Sequence, residues 1–163
     1  MRGKKAPKRK LKPDARYNSV LVTKFINYLM SDGKKTTAEK VLYGCFDIID
    51  KAIKDKKIDA EYETALQVFD QAVKNVAPQV EVRGKRVGGA NYQVPYPVRG
   101  ERKYTLTFRW IIEAASKKKG RPMRQKLAEE LIAALSEEGD SMKKRSDVHR
   151  MAESNRAFAH FAR

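Results

Sequence analysis

Val80 to Val98 reads VEVRGKRVGGANYQVPYPV. On either side of Gly88-Gly89 the residues alternate with the two-residue period of a strand, and paired glycines supply the left-handed backbone of a tight turn. The stretch is read as a β-hairpin, and its register has two options. A two-residue Gly88-Gly89 loop pairs Val82 with Pro95 and Arg83 with Val94, mixing polar and apolar residues on each face. A three-residue loop, Val87-Gly88-Gly89, pairs Val80 with Tyr96, Val82 with Val94 and Gly84 with Tyr92, and this is the register the pattern predicts. One face then becomes apolar, while Arg83, Lys85, Asn91 and Gln93 gather on the other with Arg86 beside the tip. Pro95 and Pro97 stand two apart, so their missing N–H groups point to one outer edge, away from the partner strand. That edge is also closed to a further strand. A ribbon of two strands is marginal alone in water, so helices at its root or an external partner must order it.

The flanks are helical. Towards the N-terminus, Val22, Phe25, Ile26 and Leu29 recur at helical spacing behind Asn18 and Ser19, with Gly33 as a stop. Thr36 and Glu39 have the capping-box form and predict the start of helix two, whose stripe runs from Ala38 through Leu42, Cys45 and Ile49 to Ile53. Asp59 is the expected cap of helix three, which carries Leu66, Phe69, Val73 and Val76 and stops at Pro78. Beyond the ribbon, YTLTF alternates like a strand, but the pattern through Trp110 and Ala114 to Gly120 has helical length. Met123, Leu127, Leu131 and Leu135 predict helix five, ended by Gly139. A short sixth helix is expected from about Ser146 to Ser154 with Val148, Met151 and Ala152 inward, followed by an aromatic tail, RAFAHFAR. The predicted fold is mainly α: one six-helix domain over 17–154, with a protruding basic β-hairpin (79–98) between helices three and four. A basic arm (1–16) precedes it and a tail (155–163) follows.

Thirty-six Lys and Arg against twenty Asp and Glu leave a net charge of +16 in 163 residues, the footprint of a chain that meets a polyanion. Twenty-six of those bases fall in the arm, the ribbon and its exit (83–103), the KKKGRPMRQK run (117–126) and the C-terminal segment (143–163). Three tyrosines, Tyr92, Tyr96 and Tyr104, accompany the ribbon bases and offer stacking faces beside phosphate contacts. No run of eighteen apolar residues exists and the N-terminus lacks the apolar stretch of a signal peptide, so a cytoplasmic protein without membrane contact is expected.

Catalytic patterns fail one by one. GKKT (33–36) has Lys35 where a phosphate loop needs Ser or Thr, and Tyr28 where its first glycine belongs. RVGGAN lacks the dinucleotide spacing. His149 and His160 stand eleven apart with no further ligand near, and Cys45 lies on an apolar stripe as a small buried hydrophobe. Glu129-Glu130 and Glu137-Glu138 read as solvated helix exterior. The expectation is no enzyme, no metal and no cofactor. A DNA-architectural protein with a basic ribbon for the minor groove is the alternative, although a Val-Gly-Gly tip offers no apolar wedge.

Five stretches, GKKTTAEKVLYG (33–44), NVAPQVEVRGKRVGGANYQVPYPV (75–98), RWIIEAASKK (109–118), MRQKLAEELIAAL (123–135) and KKRSDVHRMAESNRAFAHF (143–161), resemble the bacterial-type small-subunit ribosomal protein seven family. The resemblance implies a structural constituent of the small ribosomal subunit that binds the 3′ major domain of its RNA and nucleates head assembly. It further implies a place near the exit-site tRNA and messenger path, with small-subunit proteins nine and eleven as neighbours and no homo-oligomer. Carried onto this chain, ribosomal-RNA contacts fall on Lys4, Lys5, Lys8, Arg9, Lys10, Lys12, Lys34 and Lys35. They continue on Arg83, Lys85, Arg86, Arg109, Lys117, Lys118, Lys119 and Arg121. The parts implied to approach tRNA or messenger are Arg83, Lys85, Arg86, Val87, Gly88 and Gly89 at the ribbon, and Lys143, Lys144, Arg145 and Arg150.

Overall fold

A computed structural model of the chain describes residues 10–55, 58 and 62–162, together with Gly3 and Ala6. Among them the order is α1 (Val20–Leu29), α2 (Lys35–Lys54), α3 (Ala65–Val76), β1 (Val80–Val87), β2 (Ala90–Pro97), α4 (Glu101–Lys117), α5 (Met123–Leu135) and α6 (Asp140–Ser154), closed by a 3-10 helix (Arg156–Ala162). The mainly α reading and the hairpin between the third and fourth helices both hold.

Local chemistry sets the helix starts. Ser19 caps α1 by accepting the Val22 N–H. α2 begins at Lys35 without the expected Thr36 capping box, because the left-handed turn at Asp32 and Gly33 (φ 53° and 72°) already delivers the chain into the helix. The capping box belongs to α3, where Thr64 Oγ1 accepts the Gln67 N–H (3.4 Å) and Gln67 Oε1 accepts the Thr64 N–H (3.2 Å). Asp59, the predicted cap, lies outside the described residues. Thr64→Ala is expected to cost about 1 kcal/mol, read as a lower urea midpoint at unchanged slope.

Four fully buried phenylalanines knit α1 to α4. Phe25 meets Phe69 and Phe108 edge-on, each with ring centroids 5.2 Å apart, and Phe46 lies 5.5 Å from Phe69. α5 packs against α2, α3 and α4 through the fully buried Leu127 and Leu131. Asn75 of α3 donates to the Ala134 and Leu135 carbonyls, both at 3.1 Å, so the open end of α5 is satisfied from a neighbouring helix. Cys45 is fully buried, and burial pushes its thiol well above the ordinary value, which keeps it an unreactive core group.

Glu130 corrects the solvated-face expectation for its pair: it is fully buried. One oxygen accepts the Ser141 N–H (2.9 Å) and hydroxyl (2.8 Å), and the other lies 2.8 Å from the Lys118 ammonium. Burial works to raise this carboxyl, but Lys118 and Ser141 outweigh it and hold the group below the usual carboxylate range. The same contact explains why α6 begins at Asp140 rather than near Ser146: its first turn is capped by a carboxylate from α5. The earlier start gives α6 an inward line of Ser141, Met142, Val148 and Ala152, and Met151 falls outside it at 50 % exposure.

The hairpin takes the two-residue turn, correcting the predicted register. Val80 pairs with Pro97, Val82 with Pro95, Arg83 with Val94, Lys85 with Tyr92 and Val87 with Ala90. Gly88 (φ 57°) and Gly89 (φ 88°) both occupy left-handed backbone, the geometry whose twist matches the flanking strands, whereas the three-residue loop requires it only at its end. Counting from the Val87–Ala90 pair, alternate pairs exchange ladder bonds, so Tyr92, Val94 and Tyr96 are bonded while Pro95 and Pro97 face outward. The outward placement of the prolines therefore survives the shift. The one-sided apolar face does not: Glu81, Arg83 and Lys85 share a face with Tyr96, Val94 and Tyr92.

Candidate nucleic-acid interface

At the ribbon root Glu81 is buried (5 % exposed) between two guanidiniums, with Arg102 donating at 2.9 and 3.1 Å and Arg83 pairing from the same strand. Burial works to raise the Glu81 carboxyl, and the two arginines outweigh it and hold it low. Arg83 also lies over the Tyr96 ring, 5.3 Å from its centroid, which leaves an exposed but preoriented cation. Further along, Lys85 Nζ donates to the Phe161 carbonyl (2.7 Å), and Tyr92 packs against Phe158 and Phe161 with centroids 5.1 and 5.4 Å apart. The C-terminal 3-10 helix thus seats on the ribbon's mixed face and supplies part of the order that two strands lack. His149 of α6 completes the root by accepting the Gln79 N–H at Nε2 (3.2 Å); burial and then Arg145 keep its pKa below the ordinary value. Arg86 is exposed on the opposite face with Asn91 and Gln93, and Gly88 and Gly89 form the exposed tip beside Val87.

The other basic positions divide by what they touch. Lys34 and Lys35 are exposed at the start of α2, with Lys35 3.7 Å from Glu39. Lys10 and Lys12 are exposed, and the Lys12 carbonyl accepts the Thr23 hydroxyl (3.0 Å). Lys4, Lys5, Lys8 and Arg9 lie outside the described residues. Residues 14–16, assigned to the arm by composition, are tied to the helices. Asp14 accepts the N–H groups of Arg16 and Tyr17 and the Tyr43 hydroxyl (2.8 Å), and Arg16 pairs with Asp47 at 2.7 Å. Burial and then Asp14 push the Tyr43 hydroxyl up to about 12.

Arg109 and Lys119 are exposed on and just beyond α4, and exposed Arg121 pairs with Glu129. Lys118 is engaged inside the fold by Glu130. Between α4 and α6 a cleft of about 330 Å³ brings Lys117 together with Lys143 and Lys144 over Trp110, with Glu113, Asp140 and Asp147 balancing their charge. The hydrogen bond from Lys117 holds the Glu113 carboxyl below its usual range. Arg150 pairs with Asp147 at 2.8 Å and remains 82 % exposed, while Arg145 is half-buried with an unpartnered Nε. Among the described residues no group of His, Cys, Asp and Glu could hold a metal ion, and no helix is long and apolar enough to cross a membrane.

Exposed cations at separate, rigidly spaced places suit a folded polyanion, and the sequence relations agree. The family model for ribosomal protein S7p/S5e matches residues 1–156. The chain belongs to that family. Small ribosomal subunit protein uS7 of Thermotoga maritima is 55% identical over 162 residues, covering 99% of each chain. Its counterpart in Thermotoga neapolitana is 53% identical over 161 residues, again 99% of each. That of Magnetococcus marinus is 51% identical over 160 residues, 98% of this chain and 97% of the relative. S7p/S5e proteins are structural, and this chain is not an enzyme.

In this S7p/S5e chain, sequence reasoning missed Glu81, Arg102, Glu130 and Tyr28. The two carboxylates carry no local signal, because what buries them comes from other elements: Arg102 of α4 for Glu81, and Lys118 and Ser141 for Glu130. Arg102 and Tyr28 had one: each sits off the apolar stripe of its helix, at a position left open to the surface or to a neighbour.

Proposed function

We propose that this chain is a structural constituent of the small ribosomal subunit that binds the 3′ major domain of its RNA directly and nucleates the subunit head. It lies near the exit-site tRNA and the messenger path, with small-subunit proteins nine and eleven as neighbours. The observation that carries the reading is the arrangement of cations. Exposed bases at the α2 start, the ribbon, α4 and its exit, and α6 are held at fixed separations by one phenylalanine-centred body. RNA segments that touch several of these patches at once must fold together, which is recognition by shape and phosphate rather than by a duplex groove. Ribosomal RNA meets Lys10, Lys12, Lys34, Lys35, Arg109, Lys119 and Arg121, with the arm adding Lys4, Lys5, Lys8 and Arg9. The exposed ribbon tip with Arg83 and Arg86, and Lys143, Lys144 and Arg150, face tRNA or messenger.

Filter binding of the full chain to a transcript of the 3′ major domain, against duplex DNA of equal length at moderate salt, tests this. Selective binding of the transcript is expected; equal affinity for both overturns the reading. Deleting residues 1–12, which removes seven Lys and Arg, is expected to weaken binding and flatten its salt dependence, since each neutralised phosphate releases counterions. An unchanged slope would take the arm out of the interface.

A further inference from the structure

Of the tyrosines that accompany the ribbon in sequence, Tyr92 is covered by Phe158 and Phe161 and Tyr96 lies under Arg83. Tyr104 is different: it sits on α4, 41 % exposed, beside a second exposed tyrosine, Tyr28 of α1 at 38 %. Both rings rest on the fully buried Phe108, Tyr28 at 5.6 Å and Tyr104 at 6.1 Å between centroids. Tyr28 is further held by its hydroxyl, 2.8 Å from Thr105 Oγ1. Because Thr105 gives its one hydroxyl proton to the Glu101 carbonyl (3.0 Å), it accepts from Tyr28, and the ring is fixed before any ligand arrives. The two rings form the floor of a cleft of about 210 Å³, with Leu11 and Phe108 as further apolar walls and Asn27 and Lys24 at its rim.

We propose that this cleft between α1 and α4 takes an unpaired RNA base, stacked on Tyr28 and Tyr104. The chemistry of the rim selects that occupant over an apolar peptide. Asn27 is exposed and can both donate to and accept from a base edge. The segment that brings Leu11 to the cleft carries exposed Lys10 and Lys12 on either side of it, placed for the phosphates of the same strand. Among the described residues the carboxylate at the rim is that of Glu101, which Lys24 neutralises at 3.4 Å. Aromatic faces preset next to backbone-tracking cations are the general means of holding single-stranded RNA. The site rests on the ribosomal-RNA reading above and gives it a local anchor that is not electrostatic.

The test uses the full chain and the 3′ major domain transcript. Y28L and Y104L keep apolar contact with Phe108 but remove the stacking faces, and Y104F keeps the face. Each leucine variant is expected to weaken binding roughly tenfold with an unchanged salt slope, while Y104F binds like the parent chain. Ultraviolet crosslinking of the unaltered chain is expected to attach an unpaired nucleotide at Tyr28 or Tyr104, a readout that does not depend on how the variants fold. Parent-like affinity in both leucine variants, or crosslinks confined to other residues, overturns the stacking site while leaving RNA binding intact. Failure of the unaltered chain to bind the transcript overturns the broader reading instead.

Discussion

Glu130→Ala is expected to lower the unfolding free energy by about 3–5 kcal/mol, because it leaves the Lys118 ammonium and the first turn of α6 without their shared acceptor. Stability totals of small domains are about 5–15 kcal/mol, so this one carboxylate accounts for a large share. Urea unfolding of the purified chain reads the loss directly. The pH dependence has a definite sign. Glu130 is held below its ordinary value in the folded state, so its contribution is complete above about pH 4.5 and disappears as the pH falls through the folded value. E130Q is therefore expected to show a shallower loss of stability on acidification than the parent chain. An E130A variant within 1 kcal/mol of the parent would mean that the junction of α4, α5 and α6 does not depend on this contact. The site tolerates no extra bulk either: a Cβ on Gly139, whose φ is 94°, would stand 2.8 Å from Glu130 Oε1.

The second large effect is local. Replacing Gly88 and Gly89 together by valine forces two β-branched residues into left-handed backbone, at about 1–2 kcal/mol each, and so removes roughly 2–4 kcal/mol from the turn. A two-stranded ribbon cannot absorb that loss by itself. Amide hydrogen exchange is expected to accelerate across Val80–Pro97 and to stay slow in α1 to α5, whose core does not include the turn. Gly88→Asn, a residue that tolerates this conformation, is expected to exchange like the parent chain. Uniform acceleration through the helices would show that ribbon and body unfold as one unit. Unchanged exchange in the ribbon would contradict the two-residue turn.

Helical periodicity carried most of the fold. Val22, Phe25, Leu42, Ile49, Phe69 and Leu127 recur at helical spacing and all are fully buried, since a stripe that excludes water on one helix has to meet another stripe. Helix starts were less legible. The Thr64 cap is local and readable, yet the Thr36–Glu39 pattern imitates one, and the true start of α6 is made by a residue of α5. The register of the ribbon was misjudged for a related reason. Reasoning from faces assumed that one side meets solvent and one meets apolar residues. In the structure the mixed face is covered by the C-terminal 3-10 helix, where Lys85 finds the Phe161 carbonyl and Tyr92 finds two phenylalanine rings. At its root, Arg102 comes from α4 to share Glu81 with Arg83.

The basic clusters themselves were visible in the chain, because charge composition is a property of residues and needs no geometry. Which cations remain available was not. Lys118 and Lys35 look alike in sequence, but one neutralises a buried carboxylate and the other stands exposed at a helix start. By itself the sequence determined the mainly α class, the hairpin between the third and fourth helices, the family and the surplus of positive charge. These follow from periodicity, turn chemistry and composition, all local quantities. Only the tertiary structure decided the hairpin register, the inward Glu130 and the pairing of Tyr28 with Tyr104. Each of those depends on groups of different elements meeting in space, from Ser141 eleven residues beyond Glu130 to Thr105 seventy-seven beyond Tyr28, where burial and hydrogen-bond satisfaction outweigh local preference.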